Sequence, residues 1–152
     1  MSNARETLKQ QLLLNWNTFF EGFQVVGHRS RSVPGMAGVL QLPLKQNGKF
    51  SKLCEQIPEV YNVLLDKNII AAGFNILSSN SEVFAAIDYP NDSIIMHLPL
   101  ILPNDNKAIG MMFNDRVDTW KQGEILTHLP NETYTGFNKS DTDRVILHVV
   151  SR

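Results

Sequence analysis

The sequence has few of the residues that build metal and redox sites. Its 152 residues include one cysteine, Cys54, and four histidines. A single cysteine excludes an internal disulfide and a cluster of thiolates around zinc. We interpret Cys54 as a small buried hydrophobe, because a lone cysteine with no histidine nearby in the sequence is a poor candidate nucleophile. Four histidines leave little room for a histidine-based metal site.

The sequence also lacks an excess of either charge and a long apolar run. It has 14 lysines and arginines against 15 aspartates and glutamates, which argues against a nucleic-acid-binding surface. Its longest nearly uncharged apolar run, residues 93–103, is about half the length that spans a bilayer. Its N-terminus has no apolar segment of the secretory kind. We therefore expect a cytoplasmic protein with neither a membrane nor a nucleic acid as its partner.

A chain of this length predicts a single domain. We divide it into an N-terminal helix and loop, residues 1–36, and a core, residues 37–152. Apolar residues at spacings of three and four predict an amphipathic helix over residues 4–22. Its apolar face consists of Leu8, Leu12, Leu13, Trp16, Phe19, Phe20 and, just beyond, Phe23. This face either packs against the core or, being rich in aromatics, forms a homodimer or another partner contact.

The rest of the sequence has the alternation and turn chemistry of a mainly β domain. Short candidate strands recur at intervals of about ten residues, a pattern typical of a sandwich or barrel. They cover residues 39–44, 69–77, 82–87, 93–102, 108–113, 124–127 and 144–150. Asn47-Gly48 predicts a tight turn after the first of them. A short helix is expected around Lys52 to Ile57, and Pro58 should end it.

Strand alternation places an arginine and two histidines on faces that could line a cavity. The strand at residues 144–150 has aliphatic side chains on one face and Arg144 and His148 on the other. In the strand at residues 93–102, the only ionisable side chain is His97. An arginine inside a small barrel needs a carboxylate, from the protein or from a ligand.

A simpler arrangement of the same residues stays open at this point. Arg144 could point to solvent or pair with Asp141 or Asp143, and His97 could be a core histidine with all its hydrogen bonds made within the protein.

Three segments resemble motifs of the aspartyl/asparaginyl β-hydroxylase family. They are His97-Leu98-Pro99-Leu100, Trp120-Lys121-Gln122-Gly123-Glu124, and the run from Phe137 to Leu147 that contains Arg144. The resemblance implies a double-stranded β-helix, a cupin-like jelly roll, and enzymes of this family use Fe(II) and 2-oxoglutarate. It also implies that Arg144 matches the arginine that anchors the 2-oxoglutarate carboxylate. His97 matches a histidine that contacts the same cosubstrate.

The sequence departs from the family at the metal ligands. When His97 and Arg144 are aligned with the family motifs, the two iron-binding histidines of the family fall on Ala86 and Tyr134. A non-haem iron site usually has two histidines and a carboxylate. The sequence therefore predicts a hydroxylase-like jelly roll without an iron site and with no cofactor.

The predicted function follows from the residues that remain. We expect the cavity to bind a small carboxylate or a peptide ligand through Arg144, His97 and His148. A metal-free acid–base reaction is a further option. In it His97 would transfer a proton and Tyr134 would donate a hydrogen bond to a developing oxyanion.

Two alternatives stay open. The first is an active Fe(II)/2-oxoglutarate-dependent dioxygenase that hydroxylates an amino acid or a peptide side chain. It would need a displaced metal site formed by Asp88, His128 and His97. The second is a partner-binding module whose working surface is the N-terminal helix.

Overall fold

Two antiparallel sheets form the body of the protein. The computed structural model describes residues 2–15, 24–25, 39–85 and 89–152. The larger sheet consists of β1 (Gln24–Val25), β2 (Val39–Gln46), β3 (Lys49–Phe50), β4 (Ile69–Leu77), β6 (Ile94–Ile101), β9 (Leu126–His128) and β11 (Arg144–Ser151). The smaller sheet consists of β5 (Ser81–Ala85), β7 (Ile109–Met112), β8 (Val117–Thr119) and β10 (Tyr134–Asn138).

The order of the strands is that of a jelly roll. The larger sheet runs β1-β2-β4-β11-β6-β9, with β3 paired to β2, and the smaller sheet runs β5-β10-β7-β8. From β4 onward the chain passes back and forth between the two sheets, with only β7 and β8 adjacent in the same one. This alternation winds two sheets around a shared interior, so the predicted double-stranded β-helix with an N-terminal helix is confirmed.

Most predicted strands are present, with ends shifted by one or two residues. Two strands of the smaller sheet, β8 and β10, were not predicted. The sequence of β10, Tyr134-Thr135-Gly136-Phe137-Asn138, contains a glycine and an asparagine, which weaken strand propensity. It forms a strand because it pairs with β5 on one side and β7 on the other. The last two residues of the strand predicted at 82–87, residues 86 and 87, lie outside the described part of the chain.

The predicted tight turn joins β2 to β3. Asn47 and Gly48 both have positive φ, 50° and 75°, and the strands resume pairing between Gln46 and Lys49. Positive φ at two successive residues is the geometry of a type I′ hairpin turn, which favours this asparagine–glycine pair. The prediction from Asn47-Gly48 is therefore confirmed.

Two short helices follow this hairpin. The first, which we call α2 (Lys52–Glu55), is capped by Ser51, whose hydroxyl accepts a hydrogen bond from the Cys54 amide at 3.1 Å. The second, α3 (Pro58–Val63), begins at the proline that was expected only to end a helix. Proline suits the first turn of a helix because the amide hydrogen that it lacks has no partner there.

The N-terminal helix, α1 (Ser2–Leu14), packs on α3 and β6. Leu8 and Leu12 are fully buried, as predicted, but Leu13 is 54% exposed. Its assignment to the apolar face was wrong, because residues five apart on a helix point in clearly different directions. The predicted aromatic part of the face, from Trp16 to Phe23, lies outside the described residues. The partner or dimer contact stays a prediction.

The main hydrophobic core lies on one face of the larger sheet. There the aliphatic side chains of the central strands pack with α1, α2 and α3. Cys54 is fully buried in this core, and burial raises the pKa of its thiol to about 11. A thiol with that pKa is protonated at neutral pH, which agrees with its interpretation as a buried hydrophobe. Within the described segments, no helix has both the length and the apolar character that a membrane crossing requires.

Candidate functional site

A cavity of about 150 Å³ lies between the two sheets, on the face of the larger sheet away from the helices. Its polar lining consists of Gln41, Lys45, Gln46, Asn75, Tyr89, His97, Tyr134, Arg144 and His148. Small residues, among them Ala71 and Gly73, line it as well. A cavity of this volume accommodates a molecule about the size of benzene.

The alternation of β11 and β6 delivers the predicted side chains to this cavity. Along β11, Arg144 and His148 line the cavity, whereas Val145 and Leu147 between them belong to the main core. The strands pair so that His148 lies opposite His97. The division of faces inferred from the sequence is therefore the one found, although the roles given to these residues stay predictions.

Arg144 is buried without a carboxylate partner among the described residues. Its side chain is enclosed, with 3% of the residue exposed, and its Nη2 donates a hydrogen bond to the Asn75 side-chain oxygen. Its guanidinium carbon lies 4.9 Å from the centroid of the Trp120 ring. Burial lowers the pKa of Arg144 to about 10, while the proximity of Tyr134 opposes the shift.

The simpler arrangement suggested for Arg144 is wrong. Asp143 and Asp141 are exposed, and the Asp143 carboxylate accepts a hydrogen bond from the Ser79 amide at 3.0 Å. Arg144 itself turns inward to Asn75, and its buried Nε has no hydrogen-bond partner among the described residues. A buried cation in this state has lost its hydration without gaining an anion.

His97 is the centre of an aromatic and imidazole cluster. Its ring centroid lies 5.1 Å from those of His128 and His148, 5.9 Å from that of Tyr134 and 6.0 Å from that of Trp120. Burial lowers the pKa of His97 well below its ordinary value, and the charges of His148, His128 and Arg144 lower it further. Burial likewise lowers the pKa of His148 to about 4. Both rings are therefore neutral at pH 7.

His97 and His128 meet through their Nε2 atoms, which are 3.0 Å apart. Their ring planes differ by 21°, and their ring centroids are 5.1 Å apart. The centroid separation exceeds the Nε2–Nε2 separation by about 2 Å, which is the difference expected when each nitrogen lies on the line between the two centroids. The two rings therefore meet nearly head-on, as in an N–H···N hydrogen bond. The Nδ1 of His128 lies 3.0 Å from the Leu129 carbonyl oxygen.

The described residues do not fit the iron centre that the family resemblance implies. No three histidine, cysteine or acidic side chains of the described chain come together as possible metal ligands. In the alignment with the family motifs Tyr134 falls on the second ligand position, and Ala86 and Asp88 lie outside the described residues. In the facial arrangement of two histidines and a carboxylate, the two imidazole nitrogens point at the same ion from perpendicular directions, whereas His97 and His128 point at each other. We therefore derive no step through iron.

The sequence analysis missed two features of the site. Asn75, which accepts the hydrogen bond from Arg144, is the one polar side chain within the apolar strand β4, and that was the available signal. The predicted strand at 124–127 stopped one residue before His128, so its pairing with β6 was not foreseen. In the structure, His128 lies opposite Ile95 in the register between β9 and β6.

Comparisons with known proteins agree with this architecture. A prolyl-4-hydroxylase from Pseudomonas putida is similar, with a TM-score of 0.60 and 8% identity, over 99% of this chain and 86% of that chain. The Cupin_2 domain of an XRE-family transcriptional regulator from Enterobacter cloacae gives a TM-score of 0.51 and 9% identity, over 76% of this chain and 97% of that chain. At such identities, the likeness shows the fold alone.

Sequence comparison assigns the family. No curated protein is similar enough in sequence to count as a match. A family model described as aspartyl/asparaginyl beta-hydroxylase matches residues 7–151, almost the full length. The chain therefore belongs to the aspartyl/asparaginyl β-hydroxylase family.

Proposed function

We propose that this family member binds a small carboxylate, free or carried by a peptide, through Arg144 in the jelly-roll cavity, and that it does so without iron. The observation that carries the proposal is the burial of Arg144 with no carboxylate partner in the described part of the chain. A buried charge is stabilised when a group of opposite charge and matching hydrogen bonds joins it.

The surroundings of Arg144 support an anionic ligand. Asn75 and Trp120 hold the guanidinium in place from two directions. Its Nε is a buried donor that no residue of the described segments pairs with, and a carboxylate is a strong acceptor for guanidinium N–H groups. The small volume of the cavity favours a compact acid or a single acidic group of a peptide.

Acid–base chemistry is a secondary part of this proposal. His97 and Tyr134 lie edge to face, with ring centroids 5.9 Å apart, beside the proposed carboxylate site. A neutral imidazole can accept a proton, and a phenol can donate a hydrogen bond to an oxyanion. We therefore propose that His97 would be the proton-transfer group of any metal-free reaction and Tyr134 the oxyanion donor.

Calorimetric titration of the chelator-treated full chain tests the binding proposal. The probes are two five-carbon diacids, glutarate and 2-oxoglutarate, and the corresponding three-carbon monoacids, propionate and pyruvate. At least one acid should bind, and Arg144→Gln should weaken its binding by at least about 10-fold, because a charge-assisted hydrogen bond is lost. Arg152→Gln is the matched control, since Arg152 is exposed and pairs with Asp92. Absence of binding by every acid, or unchanged binding by Arg144→Gln, would contradict the proposal.

A second candidate is an active Fe(II)/2-oxoglutarate-dependent dioxygenase with displaced ligands. The match of the family model to residues 7–151 favours it, because enzymes of this family use Fe(II) and 2-oxoglutarate. The direct contact between Nε2 of His97 and Nε2 of His128 counts against it. The third residue of the displaced set, Asp88, lies outside the described chain. Stoichiometric Fe(II) binding together with iron-dependent consumption of 2-oxoglutarate would support this candidate and overturn the iron-free proposal.

A further inference from the structure

We infer that the acid bound beside Arg144 carries a hydroxyl group near its carboxylate, and that this hydroxyl donates a hydrogen bond to Nδ1 of His97. The inference rests on the proposed carboxylate site and names the class of acid that fits it. It follows from the positions of the protons along the contact between His97 and His128.

The hydrogen bond of His128 to the backbone fixes its protonation. A carbonyl oxygen only accepts hydrogen bonds, so the His128 Nδ1 that lies 3.0 Å from the Leu129 oxygen must carry the hydrogen. Burial lowers the pKa of His128, which keeps the ring neutral at pH 7. A neutral imidazole with its hydrogen on Nδ1 has a bare Nε2, which can only accept.

The same logic then fixes the protonation of His97. Its Nε2 faces the bare Nε2 of His128 at 3.0 Å, so the His97 nitrogen must be the donor. With its single hydrogen on Nε2, the neutral His97 ring has a bare acceptor at Nδ1. That Nδ1 is buried, and no described residue forms a hydrogen bond with it. An unpaired buried acceptor raises the free energy of the protein unless a donor joins it.

The fold holds the Leu129 carbonyl in a fixed position. The Glu132 amide donates a hydrogen bond to this carbonyl at 3.2 Å. The Glu132 carboxylate in turn accepts one from the Leu129 amide at 3.2 Å. Arg116 holds that carboxylate through two nitrogens, at 3.1 and 3.2 Å. The turn from Leu129 to Glu132 therefore fixes the carbonyl that His128 donates to, and this fixes His97 as the donor to His128.

The unpaired atoms of the cluster define the polarity of the ligand. Among the described residues, the buried side-chain nitrogens and oxygens without a hydrogen-bond partner are His97 Nδ1, Trp120 Nε1, Arg144 Nε and His148 Nε2. The indole and guanidinium nitrogens are donors, which match a carboxylate. The His97 Nδ1 is an acceptor, which a carboxylate cannot satisfy. A second group on the ligand, a hydrogen-bond donor, would satisfy it.

A hydroxyl fits this position better than an oxo or an ammonium group. An oxo oxygen only accepts hydrogen bonds and would face the lone pair of His97 Nδ1. An ammonium group would add a positive charge beside Arg144, a cation close enough to lower the pKa of His97. A hydroxyl donates a hydrogen bond without adding charge, so a hydroxy acid is the class of ligand we propose.

Calorimetry at pH 7.5 on the full chain tests this class with glutarate, 2-oxoglutarate and both enantiomers of 2-hydroxyglutarate. We expect one hydroxy enantiomer to bind about 10-fold more tightly than either other acid. Equal affinities, or a preference for the oxo acid, would overturn the inference and leave the carboxylate site standing. Failure of all the acids to bind would overturn both.

Two variants and one spectrum locate the cause of the preference. His97→Phe should reduce the ratio of hydroxy-acid to glutarate affinity to about 1, because the acceptor is removed. Arg152→Gln should keep the wild-type ratio. Long-range ¹H–¹⁵N spectra of the unmodified protein should show the hydrogen on Nδ1 of His128 and on Nε2 of His97. A hydrogen on Nδ1 of His97 at pH 7.5 would refute the inference even if His97→Phe fails to fold.

Discussion

Arg144 is the residue at which stability and the proposed function oppose each other. Its guanidinium is buried between Asn75 and Trp120, and no carboxylate of the described chain offsets its charge. Buried charges without partners destabilise a fold, and proteins keep such strain mainly where a ligand relieves it. The same group should therefore weaken the free protein and strengthen the complex.

A stability measurement on Arg144→Met tests this opposition. We expect the free energy of unfolding in urea to stay equal or to rise by up to about 2 kcal/mol, because an apolar side chain of similar length replaces a buried cation. The same variant should lose carboxylate binding. Arg152→Met, at an exposed position, should leave both quantities unchanged. A clear loss of stability in Arg144→Met would mean that the protein already compensates this charge.

At the residue scale, the sequence predicted which face of a strand a side chain occupies. It did not predict which side chains of different strands come into contact. The shared face of Arg144 and His148 follows from a local period of two residues. The contact between His97 and His128 joins residues 31 positions apart. It depends on the register between β6 and β9, which no local pattern specifies.

At the scale of the element, α1 shows how packing selects one face of a helix. Leu8 is fully buried, whereas Leu13 is 54% exposed, although the sequence pattern gave both to one apolar face. Contact of α1 with α3 and β6 requires only the narrow stripe that contains Leu8 and Leu12. The apolar side chains beyond this stripe make the surface of α1 more apolar than packing within the domain requires.

Paired alanine substitutions in α1 distinguish the two faces. Leu8→Ala should lower the free energy of unfolding by about 2–4 kcal/mol, because it leaves a cavity in the core. Leu13→Ala, on the same helix and with the same change of side chain, should alter it by less than about 0.5 kcal/mol. Urea unfolding of both variants provides the measurement. Similar losses at the two positions would indicate that Leu13 is covered in solution.

The elements that the sequence missed owe their structure to neighbours. Strand β10 contains weak strand formers and is held by hydrogen bonds to β5 and β7. Pro58 reads locally as a helix stop, yet it also starts α3, because the first turn of a helix tolerates a missing amide hydrogen. Local patterns therefore predicted the strongly apolar strands well and the strands that depend on pairing poorly.

At the scale of the whole molecule, the buried histidines couple the fold to pH. Burial lowers the pKa of His148 to about 4 and that of His97 well below its ordinary value. In the unfolded chain both would titrate at about 6.5. Between these values the unfolded state binds more protons than the folded state, so stability is complete above pH 6.5 and falls as the pH is lowered through this window.

Thermal and urea unfolding at pH 7.5 and pH 5.5 measure this coupling. Each histidine that stays neutral in the folded state should contribute a loss of about 1.4 kcal/mol per pH unit below 6.5. The interval between pH 5.5 and pH 7.5 lies above the pKa values of ordinary carboxylates, so histidines dominate the change in stability there. His148→Phe should reduce the pH dependence, and an unchanged dependence in that variant would contradict the burial of a neutral His148.

The larger sheet has a consequence for how such a protein can change. Along β11, side chains that pack in the core alternate with side chains that line the cavity, so one short strand contributes to both the fold and the cavity. Under the proposed function, substitution at Arg144 or His148 would change which ligand binds, while Val145 and Leu147 would still specify the fold. A one-residue deletion within β11 would move the core side chains beyond it to the cavity face and the cavity side chains to the core face. Both the core packing and the cavity lining would be disrupted. If the proposed function is right, ligand preference can change in evolution through substitutions in β11 but not through a change in its length.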